Sequence, residues 1–205
     1  ALSAVVTSGS FDLGAGDDAV TLANGTNVIT LAGTETVTGG TLADSVTLTS
    51  AIATGGVINL GNGSDSLTLT GSGYTATITN VETITATATA ADTITLGAAQ
   101  TGTINLGGGA DELTLSGAGA NTLTLSNIES ILGGGAADTV TLGVAQTGVT
   151  VDLAGGTDSL ALANGTNTLT VSGTETITGN SGADTIELGD AMVNGVVNLG
   201  AGSDT

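Results

Sequence analysis

The chain has 205 residues, a formal charge of −19, and no lysine, arginine, histidine, cysteine, proline or tryptophan. Without basic side chains it cannot form internal salt bridges, and electrostatic binding of nucleic-acid phosphates is not expected. With one phenylalanine, one tyrosine and one methionine, the core must consist of Leu, Ile, Val and Ala, and charge compensation must come from external cations.

A tandem repeat organises the sequence. Its clearest copy covers residues 104–115, and related copies begin at residues 11, 58, 151 and 197. Each copy places an aspartate after a glycine-rich turn, and these aspartates are 46 or 47 residues apart: Asp18, Asp65, Asp111, Asp158 and Asp204. A fixed period indicates one continuous array over residues 1–205, with repeats near 11–57, 58–103, 104–150 and 151–196 and a partial repeat at 197–205.

Short strands follow one another along the chain. Residues 2–7 are predicted to form a strand and residues 8–10 a turn. After Asp65, strands are predicted at 66–70, 75–79, 82–85, 93–96 and 103–106, each alternating Leu, Ile or Val with Thr, Ser or Asn. This period-2 pattern, interrupted by Gly, Asn and Asp, leaves no room for a helix of normal length. The predicted fold class is therefore all-β.

A second aspartate divides every repeat into two related halves. These residues directly precede a strand and are Asp44, Asp92, Asp138 and Asp184. The shorter half contains two predicted strands and the longer half contains three. A half-repeat has the size of one coil of a parallel β-solenoid, so we expect about eight coils, two per repeat, with the aspartates aligned along one edge. One coil per 46 residues is a less favoured alternative.

The glycine-rich turns resemble a known family. The pattern Gly-x-Gly-x-Asp-x-Leu at 61–67 and 107–113, and with Val20 at 14–20, is similar to the haemolysin-type (RTX) calcium-binding nonapeptide. The segment 127–129 also resembles large secreted RTX-like and bacterial surface-layer proteins. The resemblance implies a parallel β-roll or β-helix with Ca²⁺ between turns, bound by Asp carboxylates and backbone carbonyls, and export from the cell. The chain departs from the pattern in having Leu at the first glycine and Ala154 at the next glycine of the fourth copy.

Electrostatics points to cations independently of this resemblance. Carboxylates stacked about 5 Å apart repel by roughly 1 kcal/mol in water and about 3 kcal/mol at an effective dielectric of 20. Carboxylate and carbonyl oxygens without His or Cys select hard cations, Ca²⁺ or Mg²⁺, over zinc, copper or iron. The predicted metal ligands are Asp18, Asp65, Asp111, Asp158, Asp204, Asp44, Asp92, Asp138 and Asp184. Alternatively, these aspartates cap turns without binding metal.

Two further series have a predicted structural role. Glutamates recur once per repeat at positions 35, 82, 129 and 175, and we expect them to be solvated or hydrogen-bonded. Asp12 and Asp152 alternate with Asn at positions 59, 105 and 198, which indicates a turn that tolerates an amide.

The favoured function is a calcium-stabilised structural segment of an extracellular bacterial filament, surface layer or adhesin. The array begins and ends within a repeat, so we expect it to continue into neighbouring repeats or to self-associate. No apolar run is long enough to span a membrane. An enzyme is not expected, because the chain lacks His, Lys and Arg for acid–base chemistry. The alternative is an ice-binding or other ligand-binding solenoid face built from ranks of Thr, such as those at 83–85, 93–95 and 139–141.

Overall fold

The computed structural model describes residues 1–52 and 55–205, and over these residues the chain is an all-β solenoid. Two parallel sheets stack against each other, and the chain alternates between them at every strand. The predicted parallel β-solenoid is confirmed, and the number of turns is slightly above the eight expected. In the described residues, no helix is long and apolar enough to cross a membrane.

The odd-numbered strands form one sheet, which has eleven strands over the described residues. They are β1 (Gly9–Asp12), β3 (Val28–Ala32), β5 (Ser45–Leu48), β7 (Ser66–Leu69), β9 (Thr83–Ala86), β11 (Thr101–Asn105), β13 (Thr122–Ser126), β15 (Thr139–Leu142), β17 (Ser159–Ala161), β19 (Thr176–Thr178) and β21 (Val196–Asn198). We call this sheet A.

The even-numbered strands form the second sheet, sheet B, with ten strands over the same residues. They are β2 (Ala19–Thr21), β4 (Thr36–Gly40), β6 (Gly56–Gly61), β8 (Thr75–Thr79), β10 (Thr93–Leu96), β12 (Glu112–Thr114), β14 (Ser130–Leu132), β16 (Thr147–Asp152), β18 (Thr168–Ser172) and β20 (Thr185–Leu188). The strands predicted between Asp65 and Asp111 lie within a few residues of β7 to β11, which confirms them.

Alternating side chains build the core between the two sheets. In β7, for example, Leu67 and Leu69 are buried while Ser66 and Thr68 face outward. Parallel pairing keeps this pattern in register, so that Val46, Leu67 and Ile84 stack in one apolar column. Because each coil covers the apolar residues of its neighbours, the core is continuous along the solenoid.

The predicted relation between repeat and coil is wrong in one respect. The repeat from Asp65 to Asp111 contains five strands, β7 to β11, as the strand count of its two halves predicts. A coil, however, consists of one strand from each sheet and closes after only 17 to 21 residues, as the register between paired strands requires. Five strands therefore make two and a half coils, where two were expected. Successive repeats consequently begin on opposite sheets.

The first residues also differ from the prediction. Residues 2–7 do not form a strand, and the predicted turn at 8–10 overlaps β1, which begins at Gly9. Gly9 pairs with Ile29, and a Cβ on Gly9 would lie 2.5 Å from a methyl group of Val6. The pairing with β3 thus places the strand at Gly9–Asp12, seven residues later than the predicted start at residue 2.

Candidate functional site

The predicted metal ligands lie on two edges of the solenoid, and the expectation of a single edge is wrong. Asp44, Asp65, Asp138 and Asp158 directly precede strands of sheet A. Asp18, Asp92, Asp111 and Asp184 directly precede strands of sheet B, and Asp204 bonds to the backbone of Asp184. The cause is the half-integral repeat, because each step of 46 or 47 residues carries the turn to the opposite edge.

On each edge the aspartates form short hydrogen-bonded rows, which we call corner ladders. In a corner ladder, a side-chain oxygen accepts the backbone N–H of the equivalent residue in the preceding coil. The first described ladder runs through Asn27, Asp44, Asp65 and Glu82, with donor–acceptor distances of 2.8, 2.7 and 2.7 Å. The others are Tyr74–Asp92–Asp111–Glu129, Asn121–Asp138–Asp158–Glu175 and Asn167–Asp184–Asp204, with a two-member pair, Asp18–Glu35, near the start.

The aspartates within the ladders are almost completely buried. Those at positions 44, 65, 92, 111, 138, 158 and 184 are at most 2 % exposed. In six of them, one oxygen accepts a backbone N–H while Oδ2 is buried without a hydrogen-bond partner: Asp44, Asp65, Asp111, Asp138, Asp158 and Asp184. A buried, unpaired carboxylate oxygen costs free energy unless a proton or a cation satisfies it. Asp18 and Asp204 are only partly buried.

Burial changes the acidity of several of these groups. Desolvation raises the pKa of Asp111 to about 6, although the hydrogen bond from the Asp92 backbone opposes the change. Desolvation likewise raises the pKa of Asp65, Asp92 and Asp158. For Asp65 and Asp158, the ladder neighbours on both sides add Coulombic repulsion in the same direction. Burial therefore favours the protonated form of these four aspartates relative to an exposed carboxyl group.

The glutamates terminate the ladders. Oε2 of Glu35, Glu82, Glu129 and Glu175 accepts the backbone N–H of Asp18, Asp65, Asp111 and Asp158, respectively, at 2.7 to 2.9 Å. The hydrogen-bonded structural role expected for this series is confirmed. The glutamates lie 17 or 18 residues after their aspartates, so they belong to the same rows and do not form a separate one.

Three buried asparagines were missed by the sequence interpretation. Asn27, Asn121 and Asn167 are completely buried and continue three of the ladders into the preceding coil, where their Oδ1 atoms accept the backbone N–H of Val6, Gln100 and Gln146. The side-chain amide of Asn121 donates to the carbonyls of Ser116 and Gly119 and to Oδ1 of Asp138. The available signal was the identical segment Leu-Ala-Asn-Gly-Thr-Asn at 22–27 and 162–167. Tyr74 replaces Asn in the remaining ladder, and its hydroxyl donates to the Leu48 carbonyl at 2.9 Å.

A different arrangement occurs where a strand leads into a glycine-rich turn, at the ends of β1, β6, β11, β16 and β21. There Asp12, Asn59, Asn105, Asp152 and Asn198 each accept the backbone N–H two residues later, at 3.0 to 3.2 Å. Asp and Asn serve equally, which confirms a turn that tolerates an amide. We call these positions strand-end caps.

The turns themselves require glycine. Gly61 and Gly107 have φ of 89° and 84°, whereas Ala154 occupies the same left-handed region at 64°. At the second glycine, a Cβ on Gly109 would lie 2.6 Å from the Ala90 carbonyl oxygen and 2.9 Å from Oδ1 of Asp111. A carbonyl oxygen of the preceding coil and a ladder carboxylate thus converge beside this glycine.

No metal centre built from side chains is present in the part of the chain that the structure describes, since nowhere in it do three acidic side chains converge on one point. No protein-family model, curated protein or solved structure matches this chain. The functional argument therefore rests on the geometry of the ladders and of the sheet faces.

The Thr ranks lie on the outer faces of both sheets. In sheet A, the residues Thr47, Thr68 and Thr85 stack in register. In sheet B, Thr75 stacks on Thr93, and Thr77 stacks on Thr95. Thr is thus the general outward residue of this solenoid, in keeping with its preference for strands.

Proposed function

We propose that this chain is a structural repeat segment of an extracellular bacterial filament, surface layer or adhesin, in which Ca²⁺ stabilises the corner ladders. The observation that carries the proposal is the set of six buried aspartates whose Oδ2 atoms lack a partner. A chain without Lys, Arg or His has no internal cation to offer them. An external hard cation would satisfy these oxygens and remove the repulsion along each ladder.

The fit to calcium depends on backbone as well as side-chain oxygens. Because three carboxylates do not converge in the described residues, each ion would take one or two ladder carboxylates. Carbonyl oxygens and water would then supply the remaining ligands, as is usual for Ca²⁺. The convergence of the Ala90 carbonyl and Asp111 beside Gly109, repeated by Ala136 and Asp158 beside Gly156, supports such mixed ligation.

The structural role follows from the architecture. One apolar core runs through the coils without an inserted domain in the described residues. At one strand spacing per coil, the eleven strands of sheet A give a rod about 50 Å long. A stiff rod that can be lengthened by adding repeats suits a spacer or lattice element outside the cell, where millimolar calcium is compatible with the weak affinities of extracellular modules.

The proposal is tested by calcium titration of the 205-residue chain, monitored by circular dichroism and thermal unfolding. At ten-fold saturation each site adds about 1.4 kcal/mol, so six to nine sites add on the order of 10 kcal/mol. We expect calcium to raise Tm by tens of degrees at pH 7.5 and EDTA to reverse the change. Equal unfolding curves in calcium and in EDTA would refute calcium stabilisation.

A matched pair of variants locates the effect. Asp111→Asn retains the acceptor for the Asp92 N–H but removes the charge, and it should reduce the number of calcium ions bound in equilibrium dialysis. Asp152→Asn makes the same chemical change at a strand-end cap, a position at which another repeat has Asn105. This variant should bind as many calcium ions as the unaltered chain. Equal losses in both variants would place the ions away from the ladders.

A further inference from the structure

The outer face of sheet A differs from the rest of the surface in carrying no ionisable side chain from β3 to β21. We call the outward side chains of β3, β5, β7, β9, β11, β13, β15, β17, β19 and β21 the hydroxyl face, because most of them are Thr or Ser. Thr83, Thr103, Thr124 and Thr141 stack on it in register. In β1, which lies outside this face, Asp12 is exposed.

Comparison of repeat copies shows that this neutrality is specific to the face. Glu112 lies on sheet B, and the residues at the equivalent repeat position on sheet A are Ser66 and Ser159. Glu187 also lies on sheet B, and the residues at its equivalent repeat position on sheet A are Thr47 and Thr141. The strand-end cap shows no such difference, because Asp12 lies on sheet A and Asp152 on sheet B, as do Asn105 and Asn59, respectively. Since the same repeat position tolerates an acid on one face, the absence of acids from the other is not imposed by the strand or the turn.

Apart from Asp12, which is exposed beside Ala32 of β3, the carboxylates that border the hydroxyl face do not project charge onto it. Those that precede its strands at positions 44, 65, 138 and 158 are buried. Glu82 and Glu175 are half-buried and bound to backbone N–H groups through Oε2. A continuous uncharged strip therefore crosses a molecule whose net charge is −19.

From this asymmetry we infer that the hydroxyl face is a lateral self-association surface, on which a second copy of the rod packs face to face. Two rods of charge −19 repel each other, and the repulsion is smallest where the facing surfaces carry no charge. A two-fold arrangement would bring Thr columns against Thr columns, with hydroxyls available as both donors and acceptors.

The size of the face is sufficient for such a dimer. Ten strands at about 4.8 Å and about four residues per strand at about 3.3 Å give roughly 48 by 13 Å. This is about 600 Å² per copy, or about 1,200 Å² in total, at the lower limit of standard stable interfaces. The inference does not rest on the calcium proposal, because the face contains none of the proposed ligands.

The test is sedimentation equilibrium of the 205-residue chain in 0.15 M salt with EDTA, at a pH where circular dichroism shows the solenoid intact. The parent should form dimers. Thr103→Glu with Thr141→Glu places charges at two exposed positions in the middle of the face, and each meets a like charge in the dimer. We expect at least about a tenfold rise in dimer Kd for this variant, since tenfold corresponds to 1.4 kcal/mol.

The matched control, Thr93→Glu with Thr150→Glu, makes the same change at two exposed positions of sheet B and should dimerise as the parent does. Equal weakening in both variants would overturn the proposal, because it would show a general charge effect. Dimerisation that neither pair affects would also overturn it, since it would indicate end-to-end contact. If the unaltered chain is monomeric, lateral association is refuted. Thermal hysteresis of that monomer would indicate that the hydroxyl face binds ice.

Discussion

The corner ladders and the strand-end caps use the same side-chain chemistry in opposite surroundings. At a cap, an oxygen of Asp12 or Asn59 accepts one backbone N–H at a site that solvent reaches. In a ladder, Oδ1 of Asp44 or Asp65 accepts one backbone N–H in the interior. The caps exchange Asp for Asn between copies, whereas the two ladder positions that follow the asparagine or tyrosine are Asp in every copy described.

The ladders therefore keep a charge that the hydrogen bond alone does not need. Asn would supply the same acceptor without the cost of burying a carboxylate. The chain has Asn at three caps and at the ladder positions of Asn27, Asn121 and Asn167, so it uses an amide at both kinds of site. The chain nevertheless has Asp at the ladder positions where Oδ2 is buried without a hydrogen-bond partner. This choice supports a role for Oδ2.

The largest expected effect comes from deleting a ladder side chain. Asp65→Ala leaves the Asp44 N–H buried without its 2.7 Å partner, and in saturating calcium we expect a loss of about 3 kcal/mol in unfolding free energy. Asp152→Ala, at a cap that solvent reaches, should cost about 1 kcal/mol or less. Urea unfolding measures both values. Similar losses would mean that ladder and cap do not differ in energy.

A smaller effect should appear in the pH dependence of the calcium-free protein. The pKa of Asp111 is raised to about 6 from 3.8, so the folded state binds this proton more tightly than the unfolded state. Its contribution is complete below pH 3.8 and is lost as pH rises through about 6. We expect stability to fall by on the order of 2 kcal/mol between pH 5 and pH 8.

The Asp111→Asn variant should flatten this profile, whereas Asp152→Asn should leave it unchanged. Calcium binds the ionised form, so saturating calcium should oppose the loss of stability at high pH. Thermal unfolding across this pH range with EDTA, followed by the same series with calcium, provides the measurement. A calcium-free protein that becomes more stable between pH 5 and pH 8 would contradict the raised pKa.

The smallest effect concerns the turn that joins a cap to a ladder. Ala154 has φ of 64°, in the region where the equivalent residues Gly61, Gly107 and Gly200 lie at 84° to 89°. A non-glycine residue costs about 1 kcal/mol or more there, partly offset by the greater unfolded-state entropy of glycine. Ala154→Gly should therefore stabilise by about 0.5 kcal/mol in chemical denaturation. A destabilised variant would show that the alanine methyl makes a favourable contact.

Much of the fold could be predicted from local sequence pattern. Alternation of Leu and Thr in segments such as 66–70 fixes both the strand and the buried face, and five strands per repeat follow from the same reading. The number of coils does not follow, because a period of 46 residues accommodates two coils of 23 or two and a half of about 19. Only strand pairing decides between them, and pairing is a long-range property.

The positions of the corner aspartates were predicted and their arrangement was not, and metal binding by them stays a prediction. Eight of the nine aspartates accept a ladder hydrogen bond through their side chains, Asp18 takes part only through its backbone N–H, and the glutamate series has its predicted hydrogen-bonded role. The division into two edges depends on the half-integral coil count and could not be read from spacing alone. Asn121 was missed because an isolated Asn before a strand usually indicates a turn, and its burial is visible only once the coils stack.

The half-integral repeat also constrains how such a chain can change length. Duplication or loss of one repeat rotates everything downstream by half a turn, because it adds or removes five strands. A surface that faced one way before the event faces the opposite way after it, while the core and the ladders remain intact. Gains and losses in pairs, about 93 residues at a time, preserve the facing of every surface. Selection on an extended binding side would therefore favour repeat numbers that change by two.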